Sequence, residues 1–357
     1  MVLLNRLRAG ITCTPQDYRK NTLTERPRLT PAIADVRRAV RECFEAAGLQ
    51  PGDKVLVAVS GGADSLALAA AASFEGPRFE SGNGIQVAAV IVDHAMQPNS
   101  DVIAAETAEK LKQLGLDPVV IRKVSVGSEG GPEAAARAAR YAAIDSVAEE
   151  LSANAVLLGH TLNDQAETVL LGLARGSGAK SLNGMAQIAG TYLRPLLSIS
   201  RETTEAFCAD SALVPWQDPM NQDLAYSRVR VRKNLLPALE AELGPGITEA
   251  LVRTADTLRE DDDLLAELAL DAYKKVATEQ DQEIQISVEG FSILPLAIRH
   301  RVVALAGLVL QAPMLSRVHI LSIDELVDNW HGQKSLSLPG IRVERKGEII
   351  TLLTQKS

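Results

Sequence analysis

A glycine- and serine-rich run lies between a strand-like segment and a helix-like segment near residue 60. Residues 54–59 are rich in valine, and residues 66–72 contain only leucine and alanine. The run between them is Ser60, Gly61, Gly62, Ala63, Asp64 and Ser65. Glycine has no Cβ, so a ligand can approach its backbone, and the amides at a helix start favour an anion. The run therefore predicts a strand, a phosphate-binding loop and a helix, as in an α/β fold.

The loop differs from the common nucleoside-triphosphatase loop because no lysine follows its glycines. Asp64 instead falls in the first helical turn. There its carboxylate can hold Mg²⁺ while the amides and hydroxyls of the loop hold pyrophosphate. The alternative is a plain glycine turn in which Ser60 or Asp64 caps the helix.

Strand-like and helix-like segments alternate through the first half of the chain. Strands are predicted at 55–59, 85–92, 118–124 and 155–158, with helices beginning near 64, 101, 132 and 163. This alternation predicts a doubly wound parallel sheet with helices on both faces. Ligands of such sheets bind beyond the carboxyl ends of the strands. Asp93 and His94 follow the second strand, and Gly159 and His160 follow the fourth.

With 357 residues the chain is longer than one usual core, which favours two domains. Residues 1–30 are basic without clear periodicity, and we interpret them as a flexible extension. Residues 31–237 form the predicted nucleotide-binding catalytic domain. Residues 238–357 are predicted to form a helical linker and a smaller α+β domain, which ends in a β pair around Lys346 and Gly347.

Further candidate side chains lie near the same predicted edge. Asp164 begins a helix, where it either caps the helix or provides a second carboxylate for Mg²⁺. His160 is either a ligand of the nucleotide or a structural hydrogen-bonding group. Arg137 and Arg140 share one helix face and suit phosphate recognition, although a surface helix with extended arginines would have the same pattern.

The net charge of −8 argues against a nucleic-acid partner, because phosphate neutralisation usually provides most of the affinity. Residues 226–233 nevertheless concentrate cations, and Arg175 opens a glycine-containing loop that reaches Gly178. The candidates for nucleic-acid contact are Arg175, Tyr226, Arg228, Arg230, Arg232 and Lys233.

The three cysteines, Cys13, Cys43 and Cys208, lie far apart, which disfavours a disulfide framework or a zinc site. No apolar run reaches membrane-spanning length, and the N-terminus does not have the pattern of a secretion signal. The expectation is a cytoplasmic protein without a membrane partner.

Taken together, these motifs resemble the tRNA(Ile)-lysidine synthases, a branch of the PP-loop adenine-nucleotide hydrolase superfamily. The resemblance covers residues 50–240 and includes the glycine loop, Val92–Met96, Pro132–Tyr141, Gly159–Thr168, Leu193–Leu197 and the Asp218–Asn221 segment with the arginine run. Many members carry two successive aspartates where this chain has Asn163 and Asp164. The terminal β segment is similar to that family's first C-terminal domain, so the short architecture of the family is expected.

The resemblance implies a PP-loop fold and a ligase that uses ATP and Mg²⁺. Its substrates would be tRNA(Ile) with a CAU anticodon and free L-lysine. It implies that Asp64 and Asp164 hold Mg²⁺ and that residues 60–65 hold phosphate, with Asp93, His94 and Gly159 beside the nucleotide. Arg137, Arg140 and His160 would act at the reacting phosphate.

Two other functions remain open. A PP-loop tRNA thiolase would replace the same cytidine oxygen by sulfur, but such enzymes use paired cysteines or an iron-sulfur cluster. A non-catalytic nucleotide-binding module would bind ATP without tRNA-dependent turnover. The sequence also leaves open a homodimer, the residues that bind lysine and those that reject other tRNAs.

Overall fold

The structure, a computed structural model, describes residues 29–80, 84–95, 99–125, 127, 131–176 and 179–355, without the side chains of 132, 133 and 179. Nearly all of the predicted basic extension, residues 1–28, lies outside the described residues. So do Met96 of the second motif and Ser177 and Gly178 of the loop after Arg175. Among the helices that are described, none has the length and apolarity needed to cross a membrane.

The chain divides into two compact units. Unit 1 contains the described residues up to Gln165 together with Ala186–Arg230, and unit 2 contains Ala166–Met185 and the described residues from Val231 onward.

Unit 1 contains a six-stranded sheet. Its strands are β1 (Lys54–Ala58), β2 (Gln86–Asp93), β3 (Val119–Lys123), β4 (Ala155–Leu158), β5 (Ile188–Ala189) and β6 (Tyr192–Leu193), in the order β3-β2-β1-β4-β6-β5. β5 runs antiparallel to β6, and the other pairs of this sheet are parallel. β1 therefore lies between β2 and β4, and their carboxyl ends meet at one edge of the sheet.

Helices cover both faces of this sheet. Unit 1 contains α1 (Pro31–Ala46), α2 (Ala63–Glu75), α3 (Ser100–Gln113), α4 (Pro132–Leu151), the start of α5 (Leu162–Arg175), α6 (Arg201–Asp210) and α7 (Ser227–Arg230). Successive strand residues point to opposite faces. Val55 and Val57 accordingly pack with Leu66 of α2 in one core cluster, whereas Leu56 packs with Ile144 of α4 in another. This arrangement confirms the predicted doubly wound α/β fold.

Unit 2 combines helices with an antiparallel sheet. After a π-helical turn at Val231–Leu235 come α8 (Leu236–Leu243), α9 (Ile247–Val276), β7 (Ala277–Gln280), β8 (Glu283–Ser287), α10 (Val288–Ser292), α11 (Leu296–Val309), α12 (Arg317–Asp328), β9 (Leu336–Leu338), β10 (Ile341–Lys346) and β11 (Ile349–Thr354). The sheet order is β7-β8-β11-β10-β9. Phe291, Val302, Ile323 and Leu352 lie in its core.

A carboxylate from α8 caps the start of α9. Glu240 accepts hydrogen bonds from the amides of Gly246 at 2.7 Å and Thr248 at 2.8 Å, and from the Thr248 hydroxyl at 2.7 Å. The first backbone amides of a helix have no acceptor within the helix. The Glu240 carboxylate accepts hydrogen bonds from the amides at the start of α9 instead.

The predicted elements agree with the structure to within two residues at their ends. Seven further elements were not predicted: β5, β6, β7, α6, α7, α8 and α10. β5 and β6 have two residues each, and β7 lacks alternating apolar residues because most of it is exposed. The predicted domain boundary after residue 237 stays a prediction, because the compact units divide between Arg230 and Val231 and unit 2 also takes in Ala166–Met185.

Candidate functional site

The candidate site lies at the carboxyl edge of β1, β2 and β4 in unit 1. The loop of residues 60–65 follows β1, Asp93 and His94 end β2, and Gly159 and His160 follow β4. The parallel order thus brings together three polar segments that are far apart in the sequence.

Gly61 is required by the fold of the loop itself. Its φ of +86° lies in the left-handed region that side chains avoid. A Cβ there would also lie 3.0 Å from the Thr107 hydroxyl, and the Gly61 carbonyl accepts a hydrogen bond from the Trp216 amide at 2.9 Å.

Gly62 has no such requirement. Its φ is −72°, and the nearest atom to an added Cβ would be the Ser60 hydroxyl at an ordinary 3.6 Å. Gly62 is the N-cap of α2, where no side chain caps the helix. The space in front of this helix start can therefore take an anion against the backbone, which is the arrangement that binds phosphate.

Ser65 stabilises the loop from inside. It is buried, donates to the Gly62 carbonyl at 3.0 Å and accepts from the Ser60 amide at 3.2 Å. The Ser60 and Ser65 hydroxyls lie 3.2 Å apart. A direct phosphate contact by these hydroxyls remains a prediction, as it does for the amide of Ala63.

Gly159 packs against the start of α2. A Cβ at this position would lie 3.2 Å from the Ser65 amide nitrogen and from the Asp64 carbonyl carbon. The end of β4 can therefore approach the loop this closely only because residue 159 is glycine.

Asp64 projects from the first turn of α2 and is held by α6. The Thr204 hydroxyl donates to its Oδ1, and Arg201 Nε lies 3.7 Å from its Oδ2. The Asp64 side chain is partly exposed.

Asp164 caps α5 and also meets two arginines. Its Oδ2 accepts from the Thr161 amide at 2.9 Å and from the Thr161 hydroxyl at 3.0 Å. Its Oδ1 lies 3.2 Å from Arg201 Nη2 and 3.6 Å from Arg228 Nη2. Burial alone would raise the pKa of Asp164, but Arg228, Arg201 and the Thr161 amide together hold it below its usual value. The carboxylate is therefore ionised at neutral pH.

Arg201 is a site residue that the sequence reasoning missed. It opens α6, where Ser200 is the N-cap and its hydroxyl accepts from the Thr203 amide at 3.3 Å. The side-chain oxygen of Asn163 accepts a hydrogen bond from the Arg201 amide at 2.9 Å. Ser200, a residue type that often caps helices, follows the Leu193–Leu197 motif and could have predicted that a helix begins at Arg201.

His160 is neutral at physiological pH. Burial lowers its pKa to about 4, with Asp164 opposing the shift and Arg228, Arg194 and Arg137 adding to it. Within the described residues its Nδ1 is buried without a hydrogen-bond partner. His160 thus has one ring nitrogen to offer to a ligand, but no positive charge.

The two arginines predicted to share a face of α4 meet different groups. Arg137 Nη2 donates to the Tyr141 hydroxyl at 3.3 Å and its guanidinium lies over that ring. Arg140 Nε donates to His94 Nε2 at 3.3 Å. The buried Asp93 accepts from the Ala95 amide at 2.8 Å and so shapes the end of β2.

The cationic run after Tyr226 is divided among different partners. Arg228 lies on Asp164, Arg230 donates to the carbonyls of Leu224 and Ala225, and Arg232 pairs with Glu167. Lys233 and Arg175 are exposed, and Tyr226 is partly buried. Arg228, Arg230 and Arg232 thus contact other groups of the chain, which the sequence pattern did not reveal.

Asp64 and Asp164 fit a magnesium ion. Both carboxylates face one cationic group, the Arg201 guanidinium, and carboxylate oxygen is the donor that Mg²⁺ prefers. Over the described ranges no group of three or more histidine, cysteine or acidic side chains is arranged as a metal site. Two carboxylates suffice, because protein-bound Mg²⁺ usually completes its shell with substrate phosphates and water.

Two protein-family models match parts of this chain. A PP-loop domain family matches residues 33–239, and a TilS substrate binding domain matches residues 286–347. The first match spans the whole candidate site described above.

Curated relatives extend over most of the chain. The tRNA(Ile)-lysidine synthase of Leifsonia xyli is 52% identical over 85% of this chain and 90% of its own length. That of Thermobifida fusca is 48% identical over 90% of this chain and 97% of its own length.

A solved structure shares the fold at low identity. The U34-tRNA thiolase NcsA from Methanococcus maripaludis, with its [4Fe-4S] cluster, matches with a TM-score of 0.54 and 20% identity, over 64% of this chain and 80% of that chain. This likeness concerns the fold alone.

Proposed function

The chain belongs to the tRNA(Ile)-lysidine synthase family, and we propose that it is an ATP-dependent ligase that joins free L-lysine to C2 of the wobble cytidine in tRNA(Ile) with a CAU anticodon. The observation that carries this proposal is the meeting of the glycine loop with Asp64, Asp164 and a set of arginines at one sheet edge.

The reaction has two steps. In the first, O2 of the wobble cytidine attacks the α-phosphorus of ATP, the α–β anhydride bond breaks and pyrophosphate leaves. In the second, the lysine ε-amine attacks C2, the C2–O bond breaks, AMP leaves and the amine loses a proton. Adenylation converts a poor leaving oxygen into a good one, so the main task of the protein is to position reactants and stabilise phosphate charge.

The loop and α2 supply the phosphate site. The open space at Gly62 and the uncapped start of α2 support binding of the pyrophosphate portion of ATP against the backbone. Asp64 and Asp164 would hold Mg²⁺, which when bound offsets negative charge on the phosphates. Asp93, His94 and Gly159 shape the surrounding edge.

Arginine and histidine have distinct roles in this proposal. Arg137 and Arg140 provide guanidinium charge near the reacting phosphate, where charge-assisted hydrogen bonds are strongest. His160, being neutral, offers a ring nitrogen as a hydrogen-bond partner or a proton acceptor rather than a charge. In this proposal His160 contributes a hydrogen-bonding nitrogen to the site, and the arginines contribute its positive charge.

The tRNA is expected to meet the exposed cations first. Arg175, Arg230 and Lys233 are exposed, whereas Arg228 and Arg232 are partly buried and pair with Asp164 and Glu167. Tyr226 is a candidate for stacking on a base. We propose a cytoplasmic location, where tRNA and ATP are found, and the mechanism does not require a second copy of the chain.

The thiolase alternative is disfavoured by the cysteines. Burial raises the pKa of Cys43 and of Cys208 to about 12, so neither thiol is reactive at neutral pH. Cys208 also contacts the Ala63 carbonyl through its thiol at 3.5 Å. Cys13 lies outside the described residues.

The proposal is tested by incubating the purified protein with ATP, Mg²⁺, radiolabelled lysine and unmodified tRNA(Ile). Label should stay on the tRNA only when ATP is present and the wobble base is cytidine; a tRNA with uridine there is the matched control. A folded protein that binds ATP but transfers no label contradicts the proposal. Sulfur transfer to the same tRNA would then favour the thiolase. An absence of tRNA-dependent ATP turnover would favour the non-catalytic module.

A further inference from the structure

The first turn of α6 contacts both carboxylates of the predicted magnesium site. Arg201 Nη2 lies 3.2 Å from Asp164 Oδ1, and Arg201 Nε lies 3.7 Å from Asp64 Oδ2. The Thr204 hydroxyl donates to the other oxygen of Asp64. The Arg201 amide is in turn fixed by Asn163 at 2.9 Å. One short segment thus orients both acids.

The two carboxylate oxygens that face Arg201 are Oδ2 of Asp64 and Oδ1 of Asp164, and the latter also lies 3.6 Å from Arg228 Nη2. Oδ2 of Asp164 already accepts the amide and hydroxyl of Thr161, and Oδ1 of Asp64 accepts the Thr204 hydroxyl. Metal coordination at the oxygens that face Arg201 leaves these hydrogen bonds intact. A cation between the two acids therefore takes the same oxygens that Arg201 now contacts.

Charge makes a cation necessary at this place. The side chains of Asp64, Asp164 and Arg201 are 24%, 11% and 19% exposed, so water screens them only in part. Two ionised carboxylates beside the same guanidinium repel each other, and a positive group close to both lowers that repulsion. Both the guanidinium and Mg²⁺ meet that need, but Mg²⁺ requires oxygens at about 2.0–2.1 Å and repels a second cation on the same oxygens.

We propose that Arg201 is an internal counter-ion that competes with Mg²⁺ for Asp64 and Asp164, and thereby sets the magnesium concentration the protein requires. This inference rests on the proposed magnesium role of the two aspartates. Arg201 is a positioning residue in this scheme: it holds one oxygen of each acid, and Mg²⁺ binds by displacing its side chain from the two oxygens.

The test measures metal binding directly, without turnover. Mn²⁺, a visible substitute for Mg²⁺, is titrated into the full chain and free Mn²⁺ is followed by electron paramagnetic resonance. Arg201→Met should bind Mn²⁺ at least about threefold more tightly than the wild type, since a partly exposed ion pair no longer has to be broken. Arg201→Lys should fall between the two, because an ammonium has a single charged centre and cannot bridge as a guanidinium does.

Two further variants make the result decisive. Arg122→Met removes an arginine of the exposed pair with Glu150 and should leave Mn²⁺ binding unchanged. Asp164→Asn should weaken it. If Asp164→Asn binds Mn²⁺ like the wild type, the metal site itself is misassigned and the proposed function loses its metal. If Asp164→Asn loses Mn²⁺ while Arg201→Met gains none, the competition alone is wrong.

A folding defect in Arg201→Met would also be informative. Unscreened repulsion between the acids predicts that Mg²⁺ restores its melting temperature more than an equal ionic strength of NaCl does. Equal restoration by both salts would overturn the proposal, as would an Arg201→Met protein that loses ATP affinity with an unchanged metal titration, since Arg201 would then be a phosphate ligand.

Discussion

Arg232 and Glu167 form a two-pronged ion pair in unit 2: Nε donates to Oε1 at 2.6 Å and Nη2 to Oε2 at 3.2 Å. The Glu167 side chain is completely buried. An arginine that the sequence offered as a tRNA contact is therefore a charge partner of a buried acid.

Replacing Arg232 with methionine should destabilise the protein. It leaves a buried carboxylate without this partner, a loss of about 3–5 kcal/mol in the free energy of unfolding. Urea unfolding measures the change. Arg175→Met is the matched control: its exposed side chain should leave stability unchanged while reducing the log-log salt slope of tRNA binding by about one. An unchanged unfolding free energy for Arg232→Met would contradict the importance of this pair.

Replacing Gly62 with alanine should weaken ATP binding without loss of stability. The added Cβ meets only ordinary contact at 3.6 Å within the protein but occupies the space proposed for phosphate. We expect ATP affinity to fall about tenfold or more with a melting temperature close to that of the wild type. Gly159→Ala is the comparison, because its Cβ would lie 3.2 Å from backbone atoms and should lower the melting temperature as well. Full ATP affinity in Gly62→Ala would place the phosphate elsewhere.

Replacing Asp164 with asparagine should abolish AMP release while leaving tRNA binding nearly unchanged. The loss of a charged group at a reacting phosphate is expected to reduce kcat by about 100-fold or more. Thr161→Val separates the two roles of Asp164, since it removes the hydroxyl that donates to Oδ2 but keeps the carboxylate. If both variants lose activity equally, Asp164 acts as a helix cap rather than as a metal ligand.

Because of His160, the free energy of unfolding should decrease as the pH is lowered. Its pKa is about 4 in the folded protein and about 6.5 in an unfolded chain. Between these two pKa values His160 binds a proton in the unfolded chain but not in the folded protein. Its contribution to the free energy of unfolding is therefore fully present above about pH 6.5 and is lost as the pH falls toward 4. His160→Gln should lose less unfolding free energy between pH 7 and pH 5 than the wild type. Identical losses in both proteins would contradict the buried, neutral state.

Glu240 should stabilise unit 2 in a pH-dependent way. Hydrogen bonds from the Thr248 amide and hydroxyl, and from the Gly246 and Ile247 amides, hold its pKa below the usual value, with burial opposing slightly. The stabilisation is therefore present above about pH 4.3 and is lost as the pH falls through the lower folded pKa. Glu240→Gln should lower the melting temperature at pH 7, and the difference from the wild type should shrink in acid. The exposed Glu242→Gln serves as the control, and an equal effect of both changes would exclude a capping role.

The sequence determined the first four strands of unit 1, the helices that follow them and the chemical character of the sheet edge. Apolar strands that alternate with helices have few ways to bury both faces of a sheet, so β1 to β4 and α2 to α5 could be placed to within two residues. The glycine loop and the two aspartates could be recognised for the same reason, since they follow strand ends directly in the chain. Gly61 shows the limit of such local signals: its positive φ suits any glycine turn, but its contact with Thr107 depends on α3.

Only the tertiary structure decided which charges meet. Arg201 lies 37 residues beyond Asp164 in the chain and contacts it because α6 returns to the sheet edge. Arg228, Arg230 and Arg232 are close in the sequence, yet each binds a different acceptor. A hydrophobic pattern has a period that fixes helices and strands locally, whereas an ion pair depends on where two distant backbone segments come together. The partners of these arginines are therefore a property of the folded chain that residue spacing alone does not encode.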